Sequence, residues 1–189
     1  MAPIPRRRPP TRLRDAGYGL YLAAINLLLN LPGHSYRVVV FRSAGRNSVG
    51  RGTSIERGVR VTSKGGITIG RDCNINRGTL LDGRGSLVIG DSVNISNDVK
   101  VLTAGHDLDD PEFAGEDGPV SIGDRSWLAT GAMVLPGVTL GEGVVVAAGA
   151  VVANDIPPWS VVAGNPARVL RARSPDAQRV LPRNRRWFH

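Results

Sequence analysis

The sequence contains very little cysteine and few aromatic residues, and each shortage excludes a class of structure. With a single cysteine, Cys73, among 189 residues, the chain cannot form an intrachain disulfide framework, which fits a reducing cytoplasm. Phe, Trp and Tyr make up only 5% of the residues, whereas glycine (24) and proline (13) are plentiful. This composition favours one turn-rich β domain with flanking segments over a helical bundle.

Long apolar runs are also scarce, although one short run near the N-terminus needs an interpretation. The basic stretch MAPIPRRRPPTRLR precedes GLYLAAINLLLNLPG, an order that is typical of a signal peptide or anchor. The apolar run is short for a bilayer span, Asn26 and Asn30 interrupt it, and no A-x-A-like cleavage site follows. We therefore expect a cytoplasmic protein with an amphipathic or buried helix that ends at Pro32 and Gly33. Peripheral membrane contact through this segment stays open as an alternative.

The formal charge of +8 is unevenly distributed along the chain. Residues 1–46 contain eight arginines and one acid, and residues 168–189 contain seven arginines and one acid. Residues 47–167 contain nine basic and fourteen acidic side chains, so this central part is acidic. It has no basic stripe interleaved with aromatic residues, so the charge does not predict a nucleic-acid-binding protein. Phosphorylated ligands or an anionic membrane surface fit the basic ends equally well.

An aliphatic residue recurs at every sixth position from Val49 onward, with three interruptions. The fifteen positions are Val49, Ile55, Val61, Ile69, Ile75, Leu81, Ile89, Ile95, Val101, Ile122, Leu128, Val134, Leu140, Val146 and Val152. A β-sandwich would need alternation over longer strands, whereas period six predicts three short strands for each triangular coil. Coils of this kind bury their apolar faces only by stacking. We therefore predict an all-β solenoid, a parallel β-helix of about five triangular coils, whose handedness does not follow from the spacing.

The three interruptions of the repeat fall at equivalent places. The step is eight residues from Val61 to Ile69 and again from Leu81 to Ile89, and it is twenty-one from Val101 to Ile122. We therefore expect all three insertions at one corner of the prism, where solenoids often build their working site. The longest, a loop over residues 103–120, contains the only histidine within the repeats, in VLTAGHDLDD.

Several motifs resemble the hexapeptide-repeat acyltransferases. TAGHDLDDPEF and IGDRSWLATGAMVLPGVTLGEGVVVAAGAVVANDIPPWSVVAGNPARVLR are most similar to O-acetyltransferases that act on galactosides, maltose, nodulation factors, colanic acid and other exopolysaccharides. The resemblance covers roughly residues 47–171, and NLPGHSYRVVVFRSAGRNSVGRGTSI resembles the polysaccharide-associated branch. It implies a left-handed β-helix over residues 47–167, a basic helical segment over 1–46 and a basic tail over 168–189. It also implies a homotrimer and acetyl-CoA as the donor, with no required metal.

By this resemblance His106 is the catalytic base of the reaction. Histidine changes its charge near neutral pH, so an imidazole can take a hydroxyl proton while the oxygen attacks a thioester. The chain has no nucleophile elbow, so we expect direct transfer. Cys73 lies at an inward position of the repeat and is interpreted as core. We expect a backbone carbonyl to orient His106, and Asp107, Asp109 and Asp110 to be solvated loop acids.

The resemblance places the residues that bind the donor on the later coils. They are Trp127 beside the pantetheine channel, Thr130 and Ala148 at main-chain contacts with the pantetheine amides, and Arg168 and Arg171 at the phosphates. One position departs from the family, which commonly has lysine where this chain has Asn154. A neutral amide there bonds a phosphate or adenine without neutralising charge. Two of these assignments have an alternative. Trp127 could fill a contact between subunits, and Arg168 and Arg171 could belong to an ordinary solvated tail.

The resemblance also assigns acceptor-binding residues and a subunit arrangement. It places Asn74, Asn76 and Asp82 one coil before the histidine loop, near the same corner. The alternative is that the asparagines only bridge turns of the β-helix. The loop HDLDDPEFAGEDGP is strongly acidic, which disfavours an anionic acceptor. Since one prism face cannot enclose both substrates, we expect the His106 loop of one subunit to meet the Trp127 side of a neighbour.

The main prediction is therefore an O-acetyltransferase for a hydroxyl of a sugar or glycan. An enzyme that acetylates antibiotics would share the fold and the histidine, so it stays open as an alternative. A γ-type carbonic anhydrase needs three histidines from adjacent coils to bind zinc, whereas His34 and His189 lie outside the repeats. A β-helix scaffold without catalysis is the remaining alternative, and it predicts no affinity for acetyl-CoA.

Overall fold

A computed structural model describes residues 12–174 and residue 176. The chain forms a left-handed parallel β-solenoid preceded by two helices, α1 (Arg12–Leu29) and α2 (His34–Ser43). The first three coils consist of β1 (Ser48–Val49), β2 (Ser54–Ile55) and β3 (Arg60–Val61); β4 (Ile67–Ile69), β5 (Asn74–Ile75) and β6 (Leu80–Leu81); and β7 (Leu87–Ile89), β8 (Asn94–Ile95) and β9 (Lys100–Val101).

An antiparallel hairpin separates these coils from the rest of the solenoid. It consists of β10 (Ala104–His106) and β11 (Gly115–Asp117). The next two coils consist of β12 (Val120–Ile122), β13 (Trp127–Leu128) and β14 (Met133–Val134), and of β15 (Thr139–Leu140), β16 (Val145–Val146) and β17 (Val151–Val152). A partial sixth coil contains a bridge from Leu140 to Ile156 and β18 (Ser160–Gly164), after which β19 (Ala167–Ala172) returns antiparallel to β18.

The strands stack into three sheets, which form the three sides of the prism. Sheet A has the order β1-β4-β7-β12-β15, sheet B has the order β2-β5-β8-β13-β16-β18-β19, and sheet C has the order β3-β6-β9-β14-β17. All three interruptions of the repeat lie between sheet C and sheet A. The prediction that they share one corner is therefore confirmed.

The core is the inside of the prism. All fifteen aliphatic residues of the repeat are buried. Nine small or β-branched residues that lie four positions after an aliphatic residue are buried too: Cys73, Thr79, Val93, Val99, Ser126, Ala132, Val138, Val144 and Ala150. Each fully buried aliphatic side chain contributes roughly 1.5–3 kcal/mol relative to its exposed state. Burial also raises the pKa of the Cys73 thiol, which fits the predicted core role of this residue.

The two helices close the first coil of the solenoid. Phe41 and Leu29 are fully buried, and both helices contact strands of the first coil. Three polar side chains bond the main chain of that coil, at one residue in each sheet: Arg42 bonds Val49 in sheet A, Arg37 bonds Ile55 in sheet B, and Asn26 bonds Val61 in sheet C. We call this two-helix layer the cap.

The helices agree only in part with the sequence prediction. Helix α1 ends at Leu29, just before the predicted stop at Pro32 and Gly33, whereas α2 was not predicted. No helix within the described residues combines the length and apolar character that a bilayer crossing requires.

The C-terminal segment differs from the predicted tail. Residues 168–172 belong to β19 and extend sheet B, because β18 leaves an open strand edge with which they pair. Arg173 continues this attachment, since its side chain donates hydrogen bonds to the carbonyls of Arg125 and Gly143. Residues 1–11 of the predicted basic segment 1–46, and residues 177–189 of the predicted tail 168–189, lie outside the described residues.

Candidate active site

The hairpin of β10 and β11 contains His106 and projects from the corner between sheets C and A. Its strands pair Ala104 with Asp117 and His106 with Gly115. At its base, the Thr103 carbonyl accepts a hydrogen bond from Gly118 N–H at 2.8 Å. The hairpin therefore leaves the solenoid at Thr103, a residue that is fully buried.

Asp82, one coil below, holds Thr103 in place. Thr103 N–H donates to Asp82 Oδ2 at 3.1 Å, and the Thr103 hydroxyl donates to the Asp82 carbonyl at 3.1 Å. The Asp82 carboxylate also accepts a two-pronged bond from Arg84, at 2.9 Å to each oxygen, and a bond from the Thr62 hydroxyl at 2.7 Å. Burial raises the pKa of Asp82, but these hydrogen bonds outweigh it and lower the pKa to about 2.

The imidazole of His106 is exposed and is held by Phe113. Its Nδ1 lies 2.9 Å from the Phe113 carbonyl oxygen, and the two rings stack with centroids 4.4 Å apart and planes within 7°. A carbonyl oxygen only accepts hydrogen bonds, so Nδ1 is the protonated nitrogen. In the neutral ring the lone pair is then on Nε2. The expectation that a backbone carbonyl orients His106 is thus confirmed.

The acids that follow His106 shape the loop. Asp107 accepts a hydrogen bond from Asp109 N–H at 3.0 Å, and Asp110 accepts one from Glu112 N–H at 2.8 Å. Asp107 and Asp109 are exposed, and Asp110 is partly exposed. They therefore form local turns at the surface, as expected for loop acids.

Trp127 lies on the outward side of sheet B. Its side chain is 44% exposed, and its Nε1–H donates to Ser96 Oγ at 3.0 Å. In a triangular coil, sheet B lies opposite the corner between sheets C and A. His106 and Trp127 of one chain are therefore on opposite sides of the prism.

The predicted acceptor residues do not come together. Asn74 is in β5 of sheet B, where it accepts a hydrogen bond from Ser54 Oγ at 2.8 Å, and Asn76 lies 3.4 Å from Asn94 on the same side. Asp82 lies after β6 of sheet C and is fully buried. The expectation that all three lie near one corner is wrong, because a chain that turns once every six residues places Asn76 and Asp82 on different faces. Asp82 supports the hairpin from inside and does not reach the surface.

The predicted donor residues divide into two groups. Thr130 and Ala148 are exposed and stack one coil apart at the corner between sheets B and C. Arg168 and Arg171 are exposed on β19 at the end of sheet B, whereas Asn154 is exposed after β17, on the corner that also carries the His106 hairpin. Within one chain, Asn154 is thus separated from the other four.

Sheet B aligns Trp127 with one of these arginines. Trp127 pairs in register with Val145, Val145 with Val161, and Val161 with Arg171. Side chains in one register column point to the same side of a sheet. At about 4.8 Å for each strand spacing, Trp127 and Arg171 are roughly 14 Å apart on one outward surface.

Phe113 was missed by the sequence analysis, although it is the only aromatic residue in the longest insertion. Its position against His106 depends on the hairpin folding back, which the repeat does not predict. As for metals, no group of three or more His, Cys, Asp or Glu in residues 12–174 or at residue 176 is arranged to bind one.

Comparisons with known proteins agree with this geometry. Residues 119–154 match the bacterial transferase hexapeptide family (six repeats). A provisionally named acetyltransferase from Staphylococcus aureus (strain MRSA252) is 54% identical over 54 residues, 29% of this chain and 27% of that protein. The match thus spans about a quarter of the length of this curated relative.

Solved structures match over most of the chain. A hexapeptide-repeat acetyltransferase from Vibrio cholerae O1 biovar eltor, complexed with acetyl coenzyme A, has a TM-score of 0.78 at 27% identity, covering 89% of this chain and 93% of that one. A galactoside acetyltransferase in complex with coenzyme A has a TM-score of 0.73 at 28% identity, covering 84% and 82%. The chain therefore carries the bacterial transferase hexapeptide repeat and has the fold of the hexapeptide-repeat acetyltransferases.

Proposed function

We propose that this protein is an acetyl-CoA-dependent O-acetyltransferase that acts on a hydroxyl of a sugar or glycan, with His106 as the general base. The observation that carries the proposal is the exposed imidazole fixed through Nδ1 by the Phe113 carbonyl. This contact leaves the basic lone pair on Nε2. A base held in one tautomer and one direction is what hydroxyl activation requires.

The chemistry assigned to the chain is a proton transfer. Acetyl-CoA, the second substrate, supplies the acetyl group as a thioester. Nε2 of His106 takes the proton of the acceptor hydroxyl as the hydroxyl oxygen bonds to the acetyl carbon and the carbon–sulfur bond breaks. The imidazolium then returns that proton to the thiolate, so the products are the acetyl ester and free CoA.

Sheet B supports binding of the donor. Trp127 and Arg171 share one outward surface roughly 14 Å apart, counted at about 4.8 Å for each strand. An extended ligand with an apolar arm and terminal phosphates fits such a surface, because guanidinium groups bond phosphate through two parallel N–H donors. Thr130 and Ala148 are exposed at the adjoining corner between sheets B and C. The complexes of the two structural relatives with acetyl coenzyme A and coenzyme A support the same ligand.

A complete site then needs more than one copy of the chain. His106 and Trp127 are on opposite sides of one prism, so a second subunit has to place its sheet B beside the His106 hairpin. A closed ring of three triangular prisms satisfies this requirement with three equivalent sites. In that arrangement Asn154, on the His106 corner, faces the donor that the neighbour's arginines bind.

The acceptor is assigned to neutral sugars. The hairpin and its turn contain Asp107, Asp109, Asp110, Glu112, Glu116 and Asp117, so an anionic acceptor would meet like charge. Asn74 and Asn76 present amides on the side that a neighbouring hairpin would cover, and amides bond sugar hydroxyls as donors and acceptors. The galactoside acetyltransferase among the structural relatives supports a sugar substrate.

The test is acceptor-dependent release of CoA from acetyl-CoA with a panel of sugars, glycolipids and antibiotics. We expect His106→Ala to lower the rate by about 10²–10⁴-fold with unchanged affinity for acetyl-CoA. Leu108→Ala, on the same exposed loop, is the matched control and should keep the wild-type rate. Release by His106→Ala at the wild-type rate would exclude the proposed base, and absence of acetyl-CoA binding would favour a scaffold.

The shared site has its own test. His106→Ala and Trp127→Ala are each expected to be inactive, and random co-assembly at equal amounts should restore about a quarter of the sites, because the two intact residues come from different subunits. No recovery in mixed assemblies, or full wild-type activity at the mass of a monomer, would place the site within one chain.

A further inference from the structure

Four basic side chains on the first three coils have no acidic partner. Arg57, Arg60, Arg77 and Lys100 are all exposed. Within residues 12–174 and at residue 176, none of the four makes an ion pair or a side-chain hydrogen bond. Arg71 on the same coils behaves differently, because two of its nitrogens bond an aspartate. We call the four unpaired cations the basic cluster.

Arg57 and Arg77 stack at the corner between sheets B and C. The strand pairs on both sides of this corner are in register at a step of twenty residues, so the two arginines lie one coil apart, with about 4.8 Å between their main chains. The Cγ of Arg77 lies 3.5 Å from the point that a Cβ on Gly58 would occupy. The Arg77 side chain therefore runs over Gly58, beside Arg57. Two like charges at this spacing repel each other, and an anion bound between them would remove that cost.

The other two cations of the basic cluster lie around the corner, on sheet C. Arg60 and Lys100 belong to one register column with Leu80 between them, so they are two strand spacings, or roughly 10 Å, apart. The acids at this corner are Glu56, which is half-buried, and Asp98, which is exposed. Four positive charges thus stand against two negative ones, and the surface is suited to an anionic ligand.

The basic cluster adjoins the amides proposed to bind the acceptor. Asn76 on sheet B directly precedes Arg77, and neighbouring Cα atoms are about 3.8 Å apart. The His106 hairpin leaves the solenoid between β9 and β12, at the height of the third and fourth coils. In a cyclic ring, equivalent coils of the subunits are at the same height, so a neighbour's hairpin begins above Asn76, whereas Arg57 is below it. A sugar held by Asn76 therefore has the base on one side and the basic cluster on the other.

The acidic hairpin of a neighbouring subunit fits the basic cluster less well than a bound anion does. The base of the hairpin is about two coils, or roughly 10 Å, above Arg57 and Arg77. Asp107 and Asp110 already accept hydrogen bonds from main-chain N–H groups of their own turns, at 3.0 Å and 2.8 Å. The same acids make the surroundings of His106 negative, so the sugar that reacts has to be neutral. A negative group of the acceptor then belongs beyond that sugar, toward the arginines.

We propose that the acceptor is a neutral sugar joined to a phosphate or diphosphate, and that Arg57 and Arg77 bind this group. A guanidinium group bonds phosphate oxygens through two parallel N–H donors, and the stacked arginines present two such groups. Arg60 and Lys100, on sheet C, neutralise a second phosphate. Sugars linked to a nucleotide and sugars linked to a lipid carrier share this chemistry. The inference rests on the proposed function, because the candidate active site determines where the sugar lies.

The experiment is calorimetric titration of the full chain, saturated with CoA so that Arg168 and Arg171 are occupied. The probes are glucose, glucose 1-phosphate, UDP-glucose and a water-soluble short-chain prenyl diphosphate glucose. We expect glucose 1-phosphate to bind more than about tenfold more tightly than glucose. Arg57→Gln together with Arg77→Gln should weaken its binding by about 10- to 100-fold and leave glucose unchanged. Tighter binding of UDP-glucose than of the prenyl compound identifies a nucleotide as the carrier, and the reverse order identifies a lipid.

The matched control replaces Arg46 and Arg51 by glutamine. Both are exposed, and they lie before β1 and between β1 and β2, away from the basic cluster, so this variant should bind glucose 1-phosphate as the wild type does. Far-ultraviolet circular dichroism verifies that each variant is folded. The proposal is overturned if glucose 1-phosphate binds no more tightly than glucose, or if the variant without Arg57 and Arg77 binds it as tightly as the wild type. It is equally overturned if that variant has a smaller mass by light scattering, because the arginines would then contact another subunit.

Failure of this inference is distinguishable from failure of the proposed function. The titration measures binding without turnover, so equal affinities for glucose and glucose 1-phosphate, together with acceptor-dependent release of CoA, would remove the phosphate site alone. Absence of CoA binding would contradict the proposed function instead. In that case Arg168→Gln together with Arg171→Gln removes the competing arginines, and the same titration still tests the basic cluster.

Discussion

Replacing Asp82 by asparagine tests whether a buried carboxylate holds the base of the His106 hairpin. Asparagine keeps the shape of the side chain but exchanges one acceptor oxygen for an NH₂ donor. Each carboxylate oxygen accepts at least two hydrogen bonds, from Thr62 and Arg84 at Oδ1 and from Thr103 and Arg84 at Oδ2. Whichever way the amide faces, two donors lose their acceptor.

The size of the effect follows from the pKa of Asp82. A decrease from 3.8 to about 2 corresponds to about 2 kcal/mol of stabilisation of the charged form in the folded state, at roughly 1.4 kcal/mol per pKa unit. Donors that lose a buried acceptor add about 1 kcal/mol. We therefore expect Asp82→Asn to lower the free energy of unfolding by about 2–3 kcal/mol at pH 6.

The sign of the pH dependence is fixed by the lowered pKa. The stabilisation is fully present above the unfolded-state pKa near 4 and is lost as the pH falls through the folded-state value of about 2. The wild type should therefore lose about 1 kcal/mol of this contribution between pH 6 and pH 3. Asp82→Asn has no carboxyl group to titrate, so its difference from the wild type should shrink by the same amount.

The assay is urea unfolding at pH 6 and pH 3, with the protomer concentration held constant. Asp91→Asn is the matched control, since Asp91 also binds an arginine side chain through two nitrogens, those of Arg71, but at an exposed position. It should cost less than about 1 kcal/mol. If Asp82→Asn unfolds at the wild-type urea midpoint, or if its deficit is the same at both pH values, the anchoring argument is wrong.

Two further predictions concern a turn and the catalytic hairpin. Gly143 and Gly149 have nearly the same φ, 68° and 67°, but a Cβ on Gly143 would overlap the Trp159 ring, whereas one on Gly149 meets nothing within 4 Å. Gly149→Ala should thus cost about 1 kcal/mol from its positive φ and Gly143→Ala about 1–3 kcal/mol more; equal urea midpoints would contradict this. Phe113→Leu removes the ring stacked on His106 and should lower kcat/KM about threefold to tenfold at an unchanged urea midpoint. A wild-type kcat/KM would contradict this, because the main-chain carbonyl of residue 113 would then be enough to orient His106.

The solenoid was predictable because its constraint is local along the chain. Each coil repeats the same inward positions, so residues such as Ile75 and Ile95 are fixed by stacking on the coil below. The same logic predicted the common corner of the insertions. The prediction of about five coils was slightly too low. Ile156 and β18 add a partial sixth coil, in a part of the chain where the six-residue repeat has already ended.

The helix α2 and the strand β19 depend on distant contacts. Val38, Val39 and Val40 have low helix propensity, and packing of Phe41 on the first coil decides their conformation. Residues 168–172 have no repeat and form a strand only because the edge of β18 is available.

The candidate site was predictable only at its central residue. His106 is the single histidine in the longest insertion, whereas its contact with Phe113 needs the antiparallel pairing of residues 104–106 with 115–117. Asn76 and Asp82 are six residues apart, and six residues carry the chain from one face of the prism to the next. The two side chains therefore lie on different faces although they are near each other in the sequence. The burial of Asp82 follows from the turn at Arg84, which brings a guanidinium over the carboxylate.

The bonds of Asn26, Arg37 and Arg42 to the first coil also prevent further strands from adding to that end of the solenoid. A stack of parallel strands ends in unpaired main-chain groups that can template the strands of another molecule, as in amyloid growth. In this chain the helices bond the main chain at one residue in each of the three sheets, and at the opposite end β19 pairs antiparallel with β18. The helices thus obstruct the first coil in all three sheets, whereas at the opposite end β19 covers only sheet B. We therefore expect removal of the two helices to expose strand edges that favour end-to-end association.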